Sequence, residues 1–340
     1  MAESSEISWT DNTHNEWIGC TRVSPGCANC YAETLMDTRY HRVRWGKGQP
    51  RVLTSEANRK KPHAWNRAAE RARKLWAQCG AVGSPPPRPR VFSASLSDWL
   101  DDEVDPAWLA GLLGTVAATP ELDWLLLSKR PHLWRERVVE AWKVLTDRGV
   151  GTAEKAHAWH TFDRWLDGEA PPNVWVGTTV EDQQRADERV PHLLAIPARV
   201  RFLSCEPLLG PVDLKLSRPA KSAGDVLRSA PAAIRLAVER RHFRDCDLCE
   251  ACRGVWCEAS ISEIRALMAQ AQPGIDQVII GGESGHGARP MDLAWARALR
   301  DQCAEAGTAC FVKQLGGARD KRHDIEGFPE DLRLREVPRA

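Results

Sequence analysis

An α/β fold, arranged as a partial TIM-like parallel (β/α) barrel with helical and cysteine-rich insertions, is what this sequence predicts, and three observations carry the prediction. Six short apolar runs read as strands, helical patterns lie between them, and the runs close on polar or charged residues. The runs are too continuously apolar to alternate between core and water, which suits strands covered on both faces. Strands alternating with helices form a parallel sheet with right-handed crossovers, either curled toward a barrel or opened as a doubly wound sheet. Six successive runs favour the barrel.

In chain order the expected strands are 90–95, 122–128, 173–179, 200–205, 277–282 and 310–314. After the first, Asp105 and Pro106 offer an N-cap and a first-turn proline before Trp108, Leu109, Leu112, Leu113 and Val116 at helical spacing. Trp295, Leu299, Cys303 and Ala306 repeat that spacing later. Three stretches look inserted: a stiff proline-rich surface linker at 85–89, a helical pair near 133–172 whose Trp134, Trp142, Trp159 and Trp165 read as core, and the stretch 211–273. The expected organisation is a barrel over 1–210 with an N-terminal cysteine loop and an Ala/Arg-rich, then cysteine-rich, segment over 211–273. Closing strands and a helix follow over 274–317, and a C-terminal tail over 318–340.

The 340 residues, 43% hydrophobic and 27% charged, suit a globular enzyme-sized protein, and no apolar run approaches the roughly 20 residues of a membrane helix. The polar start is unlike a signal peptide, and eleven cysteines without an export signal indicate a reducing compartment, so the expected location is cytoplasmic. Formal net charge is only +1, yet twelve Lys or Arg stand between Arg39 and Lys74 against Glu56 and Glu70. That stretch is either a solvated helical face or a surface that tracks phosphates, with Trp45 and Trp65 available for stacking on a nucleic-acid or nucleotide partner.

Parallel barrels place their chemistry where the strands end. Those ends carry Ser97 and Asp98, then Ser128, Lys129 and Arg130, then Thr178 to Asp182, then Ser204, Cys205 and Glu206, then Gly281, Gly282 and Glu283, and finally Lys313 and Gln314. Glu206 and Glu283 are the expected rim carboxylates, while Lys129, Arg130, Arg289 and Lys313 are candidates for binding an anionic substrate group such as phosphate. No Walker loop or G-x-G-x-x-G run is present, which argues against an NTPase or a dinucleotide dehydrogenase. His286, in a glycine-rich loop, is a further candidate, and the polar run Trp9 to Trp17 reads as a second shell or a capped loop.

Two cysteine groups point to metal. Cys20, Cys27 and Cys30 supply three thiolates on one short loop, a number that suits a site with an open position better than closed structural zinc. Cys246, Cys249, Cys252 and Cys257 put four thiols within twelve residues, for a second iron–sulfur cluster or a tetrahedral zinc, with His242 as a substitute ligand.

The C-x6-C-x2-C-Tyr run ending at Tyr31, together with the stretches 123–131, 174–183, 201–212 and 278–291, resembles the phage-associated three-cysteine-motif family of unknown function, which is similar to radical SAM enzymes. The resemblance implies a 4Fe-4S cluster on Cys20, Cys27 and Cys30 with S-adenosylmethionine on its open iron. One electron from a reductant protein would then release a 5′-deoxyadenosyl radical. Tyr31, Glu206, Gly281, Gly282 and Glu283 are the implied cofactor neighbours. In radical SAM enzymes a Gly-Gly-Glu run on an early strand binds the cofactor amino group; here it lies late in the chain, and Glu206 competes for the role. The expected function is thus modification or repair of a nucleotide, nucleic acid or related phage or host substrate, with no membrane partner. The alternative is a non-catalytic zinc-binding protein that interacts with nucleic acid.

Overall fold

The computed structural model describes residues 7–147, 153–216, 274–285, 287–317 and 324–338. The Ala/Arg-rich stretch with His242, Cys246, Cys249, Cys252 and Cys257, and also His286, lie outside the described residues.

Seven parallel strands curl into a half-barrel in the order β1-β4-β5-β6-β7-β8-β9. They are β1 (Asn12–His14), β4 (Arg90–Ser93), β5 (Asp123–Ser128), β6 (Val174–Thr179), β7 (Val200–Cys205), β8 (Gln277–Gly281) and β9 (Ala309–Gln314). Two short strands, β2 (Trp17–Ile18) and β3 (Val52–Leu53), pair antiparallel beside the sheet. The six expected strands are all present to within about two residues at each end. The seventh, β1, was not expected because Asn-Thr-His has no apolar signature; it forms by pairing along β4, with Asn12 opposite Val91 and His14 opposite Ser93.

Helices cover the convex face. After the three-residue turn α1 (Tyr31–Glu33) come α2 (Glu56–Gln78), α3 (Pro106–Ala118), α4 (Trp134–Asp147), α5 (Ala153–Leu166), α6 (Gln183–Ala195) and α7 (Leu293–Ala306). Asp105 caps α3 as expected, its Oδ1 accepting the Ala107 N–H at 2.8 Å. The helical pair near 133–172 is α4 and α5, which together make the β5-to-β6 crossover that a parallel connection needs. Trp134, Val138, Phe162 and Trp165 bury against α3 in the main core, and Trp99 stacks on Trp165 with ring centroids 6.3 Å apart. Trp142 and Trp159, by contrast, pair at the half-buried outer edge, 5.8 Å apart.

Strand alternation divides the core in two. Residues such as Leu126, Val176, Leu203, Ile280 and Val312 face the helices, whereas Phe92, Leu125, Trp175, Phe202, Ile279 and Phe311 join Trp9 in a separate cluster. Since side chains alternate along a strand, that second cluster fills the concave side. The C-terminal stretch 324–338 closes the far edge: Val312 N–H donates to Leu334 C=O at 2.8 Å and Glu336 N–H to Cys310 C=O at 3.0 Å. Pairing of this kind removes an exposed edge strand. No helix among the described residues is long and apolar enough to cross a membrane.

Candidate functional site

Extending the concave parity to the strand ends predicts which rim residues turn inward. From Leu125 and Leu127 it reaches Lys129; from Trp175 and Gly177, Thr179 and Glu181; from Phe202 and Ser204, Glu206; from Ile279 and Gly281, Glu283; and from Phe311, Lys313. The contacts agree. Lys129 Nζ donates to Thr179 Oγ1 at 3.2 Å, and Lys313 Nζ pairs with Glu206. Below this layer the space is filled: a Cβ on Gly177 would come within 2.4 Å of the Phe202 ring, so the aromatic lies over the glycine.

The cysteine loop lies across this rim and is held from four strand ends. Following β5, the buried Arg130 donates to Thr21 C=O at 3.1 Å and directs Nη1 at Cys20 Sγ, 3.6 Å away; Asp98 beyond β4 fixes it through a 3.0 Å ion pair. Following β6, the fully buried Glu181 accepts from Ser24 Oγ and, at 3.3 Å, from Gly26 N–H, while Arg189 of α6 pairs with its other oxygen at 2.7 Å. Following β8, Glu283 accepts from Asn29 Nδ2 at 2.8 Å and from Arg289 at 2.6 and 2.9 Å. Tyr31 Oη donates to the Ser95 carbonyl beyond β4. Each anchor lies beside or between the cysteines, so the fold fixes the loop at every thiol-bearing turn.

Glycines permit the close approaches. A Cβ on Gly26 would stand 2.9 Å from Glu181 Oε1, so the loop reaches the carboxylate only with glycine there. Gly282 crosses the β9 loop so tightly that a Cβ would meet the Leu315 carbonyl at 2.7 Å. Gly281 lies under Glu206, with the glutamate Cγ 3.0 Å from the same hypothetical atom. Here the Gly-Gly pair serves the packing of neighbouring loops, and Ala94, which starts the β4 loop, adopts a left-handed φ of 70°, a strain that persists only where surroundings impose it.

The charges are arranged to hold the loop rather than to activate it. Burial, then the Asp98 charge, raises the Cys20 thiol to about 12, with Arg130 opposing. Burial likewise raises Cys30, which feels Lys129 and Cys27 nearby. Burial opposes ionisation of Glu283, but the Arg289 and Asn29 hydrogen bonds outweigh it and leave its carboxyl below the usual range. Both thiols are therefore protonated near neutrality. Cys20, Cys27 and Cys30 are all free and half-buried. Among the described residues no three Cys, His, Asp or Glu side chains converge as a single metal ion requires. The donor set itself, three free thiols on one anchored loop, suits a cluster, in which each thiolate meets its own iron and the sulfurs need not share a point.

Of the residues expected at the site, Cys20, Cys27, Cys30, Tyr31, Lys129, Arg130, Glu206, Gly281, Gly282, Glu283, Arg289 and Lys313 are brought to the same end of the sheet. Their partners differ in kind: Arg130 and Arg289 are occupied by Asp98 and Glu283, whereas among the described residues the Lys129 ammonium bonds only the Thr179 hydroxyl. Ser24, Gly26 and Asn29 were missed, although they sit between the cysteines; only a fold that places Glu181 and Glu283 opposite them gives them a role. Three further cysteines, Cys205, Cys303 and Cys310, are buried behind the sheet, where burial keeps the Cys205 thiol protonated.

The family described as "Protein of unknown function (DUF5131)" matches residues 4–332. The chain belongs to that family. No curated protein matches it. A crystal structure of a HpcH/HpaI aldolase/citrate lyase family protein from Burkholderia cenocepacia J2315 is similar at a TM-score of 0.20 and 15% identity, covering 74% of this chain and 84% of that one. A likeness that weak carries no argument about activity.

Proposed function

We propose that this member of the family is a radical SAM-like iron–sulfur enzyme that modifies or repairs a nucleotide, a nucleic acid or a related phage or host substrate. One observation supports the reading above the others: four strand ends of a half-barrel are spent on fixing a loop whose distinctive content is three free thiols. A purely structural loop at a barrel mouth needs no such investment, whereas a redox cofactor must be held at fixed distance from its substrate.

In this reading Cys20, Cys27 and Cys30 hold the cluster. A 4Fe-4S cluster with one open iron would supply the electron that cleaves S-adenosylmethionine into methionine and a 5′-deoxyadenosyl radical. Arg130, with its N–H directed at Cys20 Sγ, donates to that sulfur and tunes its charge. Glu206 and Glu283 offer carboxylates for the ammonium of a zwitterionic ligand. Among the described residues Glu206 pairs with Lys313 alone, so a ligand ammonium can exchange for the lysine, whereas Glu283 is committed to Arg289 and Asn29. Lys129 and the released Lys313 then face an anionic group of the cofactor or substrate. The apolar layer of Trp175, Phe202, Ile279 and Phe311 closes the floor and excludes water from a reactive intermediate.

The test is chemical. Anaerobically reconstituted wild type, given S-adenosylmethionine and a strong reductant, should form 5′-deoxyadenosine, and Cys27→Ala should form none. If neither does and zinc fills both cysteine groups of the isolated protein, a non-catalytic zinc-binding nucleic-acid protein replaces this reading.

A further inference from the structure

The basic stretch singled out in the sequence separates, in the structure, into two unlike parts. On α2 most of its charges are spent: Lys60 pairs with Glu56, Lys74 with Glu70, Arg59 with Glu16 and Arg73 with Glu121. Arg51 is buried against Asp101. In the loop ahead of α2, Arg39, Arg42, Arg44 and Lys47 are exposed, and among the described residues none has a carboxylate partner. The largest run of unspent positive charge therefore lies within nine residues of chain, 39–47, while Arg67 and Arg71 stand exposed farther along α2.

Two of the loop cations, Arg42 and Arg44, line a pocket of about 790 Å³ together with His41, Trp45 and Gln49. The volume is of the size that small ligands occupy. The one acid there, Asp37, is engaged by the Trp45 backbone N–H at 2.7 Å. At its edge Tyr40 is 49% exposed, with the Arg39 and Arg42 guanidinium groups 5.4 and 5.7 Å from its ring centre. An exposed aromatic beside guanidiniums that lack a carboxylate partner among the described residues is what base stacking and phosphate contact require together. The backbone is specialised as well: Thr34–Arg39 is a π-helix, and His41 has a left-handed φ of 50°, features that concentrate at ligand sites.

The loop that carries the pocket is tied to the cysteine loop. Gly46 N–H donates to Cys20 C=O at 3.1 Å, and buried Arg51 bridges Gly46 C=O at 3.0 Å to Thr21 Oγ1 at 2.8 Å. The pocket-bearing loop is thus held against the segment that carries Cys20.

The geometry points to a nucleotide-binding site in this pocket, with Arg42 and Arg44 on the phosphate and Tyr40 or Trp45 stacked on the base. The inference deepens the nucleotide or nucleic-acid substrate class proposed above, but binding here needs neither cluster nor S-adenosylmethionine. Fluorescence anisotropy with a labelled single-stranded 12-mer of mixed sequence, on the full-length protein as isolated, measures it directly. Wild type should bind with a linear salt dependence, and Arg42→Gln/Arg44→Gln should lose about 1.4 from the slope of log K against log salt, two contacts at roughly 0.7 each. Tyr40→Ala should weaken binding about five-fold or more while Tyr40→Phe stays near wild type. Arg67→Gln/Arg71→Gln, on α2 away from the pocket, should change neither. Competition by adenosine monophosphate at micromolar concentration would identify a free nucleotide as occupant; its failure against a bound 12-mer would identify a strand. No binding of either probe, or a loss in the α2 variant as large as in the pocket variant, would overturn the inference while leaving the 5′-deoxyadenosine test of the cluster untouched.

Discussion

Removing the Glu181 carboxylate isolates what the rim contributes to the cysteine loop. Glu181→Ala takes the acceptor from Ser24 and Gly26 and leaves Arg189, 5% exposed, without its ion-pair partner. Leaving a buried charge unpaired costs about 3–5 kcal/mol. The two loop donors add little, because each can turn to water at about 1 kcal/mol. Against a total stability of about 5–15 kcal/mol, the single variant should show a large drop in urea midpoint at unchanged slope. Glu181→Leu/Arg189→Leu should recover much of that loss, since the uncompensated charge is gone, yet the loop stays released. Hydrogen exchange separates the two effects: the Gly26, Cys27 and Ala28 amides, bonded to Glu181, Ser24 and Pro25 respectively, should exchange faster in both variants. A single-variant loss below about 1 kcal/mol, or unchanged exchange at those amides in the double variant, would refute the anchoring role.

Three further outcomes follow from the same geometry. Gly26→Ala should push the loop off the immobile Glu181 at about 1–3 kcal/mol and lower the iron retained after reconstitution, with the far-UV spectrum unchanged. Gly177→Ala should destabilise by a similar amount through the Phe202 clash, read as a fall in Tm, without altering iron content. Glu283 titrates below its ordinary value, so its contribution is present above the unfolded carboxylate pKa of about 4.3 and is lost as pH falls through the folded one. The Tm gap between wild type and Glu283→Gln should therefore be constant from neutrality to about pH 5 and close at lower pH.

Much of the fold was legible because burial on both faces writes itself into sequence: runs such as 123–128 and 277–281 admit few other readings. The concave rim was legible too, since polar residues recur where those runs stop. What escaped shares a physical cause. Asn12–His14 is a strand only because β4 lies beside it, and Ser24, Gly26 and Asn29 have roles only because Glu181 and Glu283 arrive from residues more than 150 positions away. The charge excess of residues 39–74 was visible, but its split into spent and unspent charges was not, because ion pairs such as Arg59 with Glu16 join distant segments.

Electron paramagnetic resonance of the reduced, anaerobically reconstituted protein, titrated with S-adenosylmethionine, tests the central claim most directly. The account predicts a cluster signal whose shape changes on addition of S-adenosylmethionine and whose responsive component disappears in Cys27→Ala, whatever the Cys246 to Cys257 group binds. A signal indifferent to S-adenosylmethionine, or one that responds equally in Cys27→Ala, would contradict it.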